Sequence, residues 1–275
     1  MVSDAELIDL QRTLYTSANP TRRWLHCTRR DWITDAVRRW APSIRGQALE
    51  VGPGSGVYLP MLAGLFERVF ASDVEPAYLR FAAPLVDEFA NLQLVTDDIT
   101  ASKLPPQGFD LILCTEVVEH IANSRAALAG IRRLLKPGGV LILSTPQPYS
   151  PLELAGKIAF LPGIIQLVRL IYREPILDTG HINLIGSRKL EKQLLELGFH
   201  IVERHKSGLY LPLIAEFAGQ LGLKLEQWLE KYLRGGPADG LLWTQYYVAR
   251  AQQHDGHAAN QADTGCGGSS DSIPA

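Results

Sequence analysis

The sequence predicts an α/β fold with a doubly wound, mostly parallel sheet. Short β-like segments alternate with helical patterns, and this alternation is typical of parallel strands that are covered by helices on both faces. A chain of 275 residues, 46% of them hydrophobic, can bury one α/β core and carry an insertion. A run of glycines directly after the first predicted strand indicates a ligand site at the carboxyl edge of the sheet.

The first half of the chain carries the regular alternation. Strands are predicted over 47–52, 69–73, 92–96, 109–114 and 139–145. Helices are predicted over 4–16, 28–40, 57–66, 76–89 and 123–134. The sequence Pro137-Gly138-Gly139 ends the last of these helices and turns the chain into the fifth strand.

The second half is less regular. Ser187 is predicted to cap a helix that Gly198 ends. A further helix is predicted over 209–233, and the last two strands are predicted over 199–204 and 242–249.

The glycine-rich segment indicates the kind of ligand. Glu50, Gly52, Gly54 and Gly56 place a carboxylate and a backbone without side chains at the end of a buried strand. A dinucleotide fingerprint needs a small residue where Val57 stands, which argues against NAD or FAD. A carboxylate also opposes a pyrophosphate but suits a ligand with a cationic amino-acid end. S-adenosylmethionine is such a ligand.

Acidic residues at the next two strand ends agree with this ligand. Asp73 follows Glu50 at about the spacing of 20 residues at which an acid meets ribose hydroxyls. After the third strand, Asp98 is predicted to accept a hydrogen bond from the adenine amino group, while Ile99 packs on the ring. For Asp97 we prefer a plain turn residue.

Four blocks of residues resemble the class I, seven-stranded S-adenosylmethionine-dependent methyltransferases. The blocks are Glu50-Val51-Gly52-Pro53-Gly54-Ser55-Gly56, the acids Asp73 and Asp98, the stretch from Phe109 to His120, and the stretch from Leu135 to Pro146. The resemblance covers roughly residues 25 to 250, weakly at both ends and across 147–180. It is nearest to the branch that holds the ubiquinone-pathway O-methyltransferases and many small-molecule methyltransferases.

This resemblance implies a Rossmann-like sheet of seven strands whose last strand is antiparallel, with 243–248 as the candidate. It also implies a set of cofactor-binding residues. They are Glu50, Gly52, Pro53, Gly54, Gly56, Asp73, Val74, Asp98, Ile99, Thr115 and Glu116. The implied activity is methyl transfer to a small, hydrophobic acceptor at oxygen. The alternatives are an N-, C- or RNA methyltransferase of the same fold, or a noncatalytic cofactor-binding scaffold.

Candidate metal ligands follow the fourth strand. If that segment is helical, Glu116, Glu119 and His120 share one face. In the resembling ubiquinone and small-RNA methyltransferases such residues are implicated in binding a divalent metal, and His181 is the candidate for a further ligand. Two carboxylates with imidazole suit Mg²⁺ or Mn²⁺. In the competing interpretation no metal binds, and His181 or His120 is the catalytic base or a loop histidine.

We expect helices over 1–45, a methyltransferase domain over 46–250 and a disordered tail over 251–275, which is rich in small and polar residues. Within the domain, residues 146–180 are expected to form a helical lid insertion. Charged residues and a proline interrupt its apolar stretch, which argues against a transmembrane helix. Three interpretations stay open for this stretch: an extra core layer, a pocket roof, or an interfacial helix that contacts lipid.

Composition bears on membrane anchoring, nucleic-acid binding, cysteine chemistry and localisation. Trp24, Trp32 and Trp40 recur within a basic segment, in a loose stripe that is more typical of core contact than of membrane anchoring. The formal net charge of −2 gives no general attraction to nucleic acid. Cys27 and Cys114, with Cys266 in the tail, lack metal-ligand spacing and suit a reducing compartment. No amino-terminal signal sequence is recognised, so we expect a cytoplasmic protein with possible peripheral membrane contact.

Overall fold

The computed structural model describes residues 14–43, 45–159 and 181–252. The strands are β1 (Gln47–Val51), β2 (Arg68–Asp73), β3 (Leu92–Thr96), β4 (Phe109–Thr115), β5 (Leu135–Pro146), β6 (Phe199–Ser207) and β7 (Thr244–Ala251). The helices are α1 (Pro20–Trp40), α2 (Leu59–Leu65), α3 (Pro76–Leu79), α4 (Ala83–Glu88), α5 (Ser124–Leu134), α6 (Pro151–Ala159), α7 (Ser187–Glu196), α8 (Pro212–Phe217) and α9 (Gly219–Leu233).

These strands form one sheet in the order β3-β2-β1-β4-β5-β7-β6. β1 to β5 pair in parallel, whereas β7 runs antiparallel to both β5 and β6. The predicted α/β fold, seven-stranded sheet and antiparallel last strand are therefore confirmed. Because the strand order changes direction between β1 and β4, a crevice opens at their carboxyl ends, where such sheets bind ligands.

Buried apolar residues cover both faces of the sheet. Leu49 and Val51 of β1 face the cluster that packs under α5 and α7, whereas Ala48 faces the cluster that packs under α1 and α2. Successive strand residues point to opposite faces, so the phase of β1 sends Glu50 toward α1.

Several helix boundaries differ from the sequence predictions. α1 begins at Pro20 instead of residue 28, because the Asn19 side chain accepts hydrogen bonds from the Thr21 and Arg22 N–H groups and proline suits the first turn. The helix predicted over 76–89 is two short helices, α3 and α4, and each begins with a proline in its first turn.

Two further predictions are corrected in the second half. The helix predicted over 209–233 is split into α8 and α9, which meet at Gly219 with φ of 51°. Gly186, not Ser187, precedes α7, and the Ser187 hydroxyl donates instead to the Gln147 side chain over 3.0 Å. Most of the helix predicted over 4–16, the lid residues 160–180 and the tail from residue 253 lie outside the described residues.

The tryptophans of α1 pack on the protein. Trp32 stacks on His205 with ring centroids 5.6 Å apart, and the Trp40 indole donates to Glu203. Trp24 packs against a small cluster with Leu25 and Trp243. Within the described ranges, none of the helices has both the length and the apolar character that crossing a bilayer requires.

Candidate active site

A cleft of about 870 Å³ opens at the carboxyl ends of β1, β2 and β4. Its lining includes residues from four loops that follow strands. They are Val51, Gly52, Gly54, Ser72, Asp73, Val74, Tyr78, Asp97, Asp98, Ile99, Thr100, Glu116, Val117, His120, Ile121, Ala122, Asn123 and Ala126. The predicted binding residues Gly52, Gly54, Asp73, Val74, Asp98, Ile99 and Glu116 all belong to this lining. Asp73, at the end of β2, and Asp98, which follows β3, therefore meet at one edge of the sheet.

The glycine loop has a backbone that only glycine fits at the cleft wall. Gly52 has φ of 66°, and a Cβ atom there would lie 2.5 Å from Val117 Cγ2. Gly54 has φ of 50° and also lines the cleft. Pro53 and Gly56 do not line the cleft. They shape the loop instead, because Pro53 O accepts a hydrogen bond from Gly56 N over 2.8 Å. The loop therefore presents bare backbone to a ligand.

The acids of the two following loops differ in their surroundings. Asp73 Oδ1 accepts from Glu75 N over 2.9 Å, and burial raises the pKa of the Asp73 carboxyl. Asp98 Oδ1 accepts from the N–H and the hydroxyl of Thr100, so this side chain shapes the turn. Asp97 Oδ2 is buried without a hydrogen-bond partner in the described parts of the chain. Asp97 Oδ1 accepts from Lys103 N over 2.8 Å, as the predicted turn residue would, and Asp97 also belongs to the cleft lining.

Glu50, a predicted cofactor-binding residue, is buried at the end of β1, directly before the cleft-lining residue Val51. The β1 pleat points its buried carboxylate toward α1, and Oε2 has no partner in the portion that the structure describes. Burial raises the pKa of the Glu50 carboxyl well above its usual value. Thr115, the last residue of β4, pairs with Ser144 of β5 and stays outside the lining.

Glu116 joins the cleft to helix α1. Its φ of 54° lies in the left-handed region, and its N–H donates to Ser144 O over 3.0 Å. Ser144 Oγ donates to Glu116 Oε1 over 2.8 Å, while Arg29 Nη1 donates to Oε2 over 2.6 Å. The side chains of Arg29 and Glu116 are only 9% and 18% exposed, so this is a largely buried ion pair.

Aromatic and imidazole groups surround the Arg29 guanidinium. Arg29 lies over the Trp243 ring, 5.2 Å from its centroid, and its Nη2 lies 3.0 Å from His26 Nδ1. Because arginine can only donate, His26 Nδ1 is the acceptor and the imidazole is neutral. Burial, together with the positive charge of Arg29, lowers the pKa of His26 to about 3.

The segment after Glu116 is a short 3₁₀ turn, Val118–His120, and not the helix on which the predicted shared face rests. Glu119 is buried, and its Oε2 accepts from Thr145 Oγ1 over 2.9 Å. Burial, and secondarily the charge of Glu116, raise the pKa of Glu119 well above its usual value. Its Oε1 finds no partner among the residues described.

Three of the four predicted metal ligands come together. Glu119, His120 and His181 offer atoms that all lie within 4.8 Å of one another, and the two imidazole centroids are 5.1 Å apart. The Ile182 and Asn183 N–H groups donate to Glu119 O over 3.0 and 2.9 Å, which places His181 beside the turn. Glu116 is not in this group, because Arg29 and Ser144 engage its carboxylate.

Glu153 of α6 contacts the His181 imidazole of this group. Its Oε2 lies 3.1 Å from His181 Nδ1, and its Oε1 accepts from the Trp243 indole over 3.0 Å. A carboxylate on Nδ1 favours the tautomer with its proton on that nitrogen and leaves His181 Nε2 as an acceptor. His181 is therefore arranged to accept a proton or to bind a metal.

Comparison with known proteins agrees with this geometry. Residues 49–143 match the family described as a methyltransferase domain. A ubiquinone biosynthesis O-methyltransferase of Cereibacter sphaeroides is 38% identical over 99 residues, which cover 35% of this chain and 40% of that relative. This chain contains a class I S-adenosylmethionine-dependent methyltransferase domain.

Two more distant proteins cover most of the chain. A Mycolicibacterium smegmatis relative, named as a probable S-adenosylmethionine-dependent methyltransferase, is 24% identical over 78% of this chain and 76% of its own length. The structure of phosphoethanolamine N-methyltransferase 2 from Haemonchus contortus, solved with S-adenosyl-L-methionine, has a TM-score of 0.58 and 17% identity. It covers 91% of this chain and 58% of that chain, and at this identity it shows the fold of the methyltransferase domain.

The cofactor of the methyltransferase domain is S-adenosylmethionine, and the cleft fits it. The wall has no room for a side chain at Gly52, and Gly54 also presents bare backbone, as a ligand that approaches the backbone requires. Asp73 at the β2 end offers a carboxylate to ribose hydroxyls, and Ile99 offers an apolar surface beside two acids.

Two residues of the site are absent from the sequence analysis as functional candidates. Arg29 appears there only within a basic segment of α1, and Glu153 only within an apolar stretch. A signal existed for Glu153, since it is the one acid in the mostly apolar sequence of Pro151–Ala159, and an acid that such a sequence buries needs a partner. No local pattern marks Arg29, because its partner Glu116 is distant in sequence and the contact arises from packing α1 against the sheet.

Proposed function

We propose that this chain transfers a methyl group from S-adenosylmethionine to a hydroxyl oxygen of a small, hydrophobic acceptor. The observation that carries the proposal is the group of Glu119, His120 and His181 beside the cofactor cleft, with His120 in the cleft wall. Methyl transfer to a hydroxyl benefits from a proton acceptor near the reacting oxygen. The similarity to a ubiquinone biosynthesis O-methyltransferase supports oxygen as the acceptor atom.

Different residues of the cleft bind different parts of the cofactor. In this proposal Asp73 binds the ribose, while Ile99 packs on adenine and Asp98 or Asp97 accepts from its amino group. The amino-acid end of the cofactor is zwitterionic, which matches Glu116 in the cleft wall together with Arg29, which pairs with Glu116 from α1. When bound, S-adenosylmethionine supplies an electrophilic methyl group.

His181 accepts the proton of the acceptor hydroxyl. Glu153 holds His181 through Nδ1 and stabilises the imidazolium that forms when Nε2 takes the proton. Val117 and Ile121, which flank the turn that carries His120, give this part of the cleft an apolar wall. Such a wall excludes water and favours a hydrophobic acceptor, and positioning can contribute on the order of 7 to 11 kcal/mol.

A divalent metal is the second arrangement that these residues support. Glu119 Oε1 is a buried oxygen that lacks a partner within the described ranges, and two imidazole groups lie near it. With one carboxylate and two histidines, the donor set favours Mn²⁺ over Mg²⁺ more than the two-carboxylate set expected from the sequence. A metal held here would lower the pKa of the acceptor hydroxyl.

The acceptor atom can be tested with isotope-labelled cofactor. We expect the full chain, incubated with methyl-¹³C S-adenosylmethionine and an apolar cell extract, to yield a labelled product whose methyl carbon shift is that of an O-methyl group. Labelled product in the RNA or protein fraction, or an N-methyl or C-methyl shift, would contradict the proposal. Production of S-adenosylhomocysteine measures turnover in the same sample.

Two further measurements distinguish His181 as a proton acceptor from a divalent metal held by the histidine group. His181→Ala should lower turnover by about 10² to 10⁴ and leave S-adenosylhomocysteine binding unchanged. If Glu119, His120 and His181 hold a metal, chelator should abolish turnover and Mn²⁺ should restore it. The matched control is His200→Ala at an exposed position of β6, which should leave turnover unchanged. Full activity of His181→Ala without metal dependence would remove both roles.

A further inference from the structure

Helices α8 and α9 expose a continuous apolar stripe, here called the apolar face. Its members are Leu213 and Phe217 of α8, and Leu221, Leu225, Trp228 and Tyr232 of α9. The least exposed member is Leu225 at 41%, and Leu221 reaches 75%. At about 100° per residue, the four α9 members fall within an arc of about 60°, so they point in one direction. Stripes of this kind mark interaction surfaces.

Helix α9 buries both of its acids but exposes Leu221 and Leu225, whereas a surface helix usually turns its charged residues to solvent. Glu226 is fully buried and accepts from Leu211 N and Thr21 Oγ1, each over 2.7 Å. Glu230 accepts from the N–H groups of Gly208 and Leu209 over 2.9 and 3.1 Å. These hydrogen bonds fix the rotation of α9 about its axis, so the apolar face cannot turn inward without leaving backbone donors unpaired.

The exposed charges on these two helices are all basic. Lys224 and Lys231 are exposed in α9, whereas Glu226 is buried, buried Glu230 pairs with Arg234 and Glu216 of α8 pairs with Arg22 over 2.7 Å. Lys224 and Lys231 are seven residues apart and flank the same side of the stripe, at about two helical turns. The surface therefore combines apolar side chains with a positive rim.

We propose that the apolar face docks on the surface of an anionic lipid bilayer, with α8 and α9 lying in the interface. Leucine side chains enter the acyl boundary, and Trp228 and Tyr232, whose ring centroids are 4.9 Å apart, sit at the headgroup level. Lys224 and Lys231 reach the anionic headgroups from the edge of the stripe.

The charge pattern favours lipid over a second copy of the chain. Two apolar faces brought together by a twofold axis would also bring their basic rims together, which costs energy, whereas anionic headgroups attract every exposed charge of the surface. The proposal does not depend on the acceptor or on turnover, because docking is a property of α8 and α9 alone. If the acceptor is hydrophobic, a docked enzyme would lie where such a molecule partitions.

Vesicle flotation with the full chain tests the proposal. We expect binding to vesicles of equal parts phosphatidylcholine and phosphatidylglycerol, weaker binding to phosphatidylcholine alone, and a decrease with rising NaCl. Leu221→Glu with Leu225→Glu should lower partitioning by at least about tenfold on both lipids. Lys224→Glu with Lys231→Glu should lower it by at least about tenfold on the anionic vesicles only.

Matched controls lie on α7, outside the apolar face. Leu195→Glu replaces an exposed leucine, and Lys189→Glu with Lys192→Glu reverses two exposed lysines; both should bind vesicles like the wild type. Binding of S-adenosylhomocysteine reports that each variant is folded, and the lysine variant carries the test if the leucine variant is not.

Three results would overturn the proposal. The first is failure of the wild-type chain to float with anionic vesicles. The second is flotation of both α9 variants that equals that of the wild type. The third is self-association in sedimentation velocity that the leucine substitutions abolish, without vesicle binding, which would make the apolar face a subunit interface.

Discussion

At the scale of single residues, Gly52 shows how one backbone conformation prepares the cleft. Its φ of 66° turns the chain out of β1, and its N–H donates to Ser72 O over 2.8 Å, which ties the loop to β2. Any larger residue meets two obstacles, the left-handed backbone and the Val117 side chain.

Gly52→Ala should therefore weaken cofactor binding. We expect at least a tenfold loss of S-adenosylhomocysteine affinity in calorimetry, together with a loss of about 1 to 2 kcal/mol of unfolding free energy from the left-handed backbone. Gly64→Ala is the control, because Gly64 lies inside α2 with nothing within 4 Å of its missing Cβ atom. That change should stabilise the protein by about 0.5 to 1 kcal/mol and leave affinity unchanged. Equal affinity for both variants would argue against a cofactor at this wall.

At the scale of elements, α1 is fastened to the sheet by a polar contact at the cleft. The Arg29 and Glu116 pair crosses from the helix to the end of β4, and Trp243 and His26 cover the guanidinium. This arrangement couples the position of α1 to the shape of the cleft wall, because Glu116 is itself part of that wall.

Arg29→Met should cost about 3 to 5 kcal/mol of unfolding free energy, because it leaves the Glu116 carboxylate buried without its partner. The double variant with Glu116→Gln should recover part of that loss, which denaturant titration in a double-mutant cycle measures. Arg125→Ala is the control, since its ion pair with Glu196 is 50% and 44% exposed and should contribute at most about 1 kcal/mol. Strict additivity of the two site variants would mean that the pair is not coupled.

At the scale of the whole molecule, the pH dependence of stability should contain a component from His26. The folded-state pKa of about 3 lies below the ordinary value of 6.5, so the unfolded chain binds the proton more readily. Stability from this group is fully present above pH 6.5 and is lost as pH falls toward 3. The slope approaches about 1.4 kcal/mol per pH unit between these values.

The measurement is the difference between wild type and His26→Asn in denaturant unfolding at several pH values. Asparagine keeps an acceptor near the position of Nδ1 but does not titrate, so the wild type should lose more stability than the variant below pH 6.5. The difference isolates His26 from carboxyls such as Glu50, whose raised pKa acts in the opposite direction. His200→Asn on the exposed side of β6 should reproduce the wild-type profile, and a similar profile for His26→Asn would contradict the buried, neutral imidazole.

Much of the fold was predictable from the sequence because its signals are local. Alternating strand and helix patterns specify a parallel sheet, and glycines after β1 with acids after β2 and β3 mark its carboxyl edge. Parallel strands end at the same edge, so Gly52, Asp73 and Asp98 had to meet once the sheet formed. The match of residues 49–143 to a methyltransferase domain contains most of these same local blocks.

Side-chain direction and partners were decided only by the tertiary structure. The pleat of β1 points Glu50 toward α1, and the left-handed backbone of Glu116 accompanies a side chain that turns toward Arg29 instead of toward Glu119. Glu153 meets His181 only because α6 packs beside the turn at Glu119. Helix α9 exposes Leu221 and Leu225 because Glu226 and Glu230 turn inward to satisfy the backbone donors of Leu211 and Gly208. A periodic pattern specifies which residues share a face, but the groups that the surrounding chain leaves unpaired decide which face turns inward.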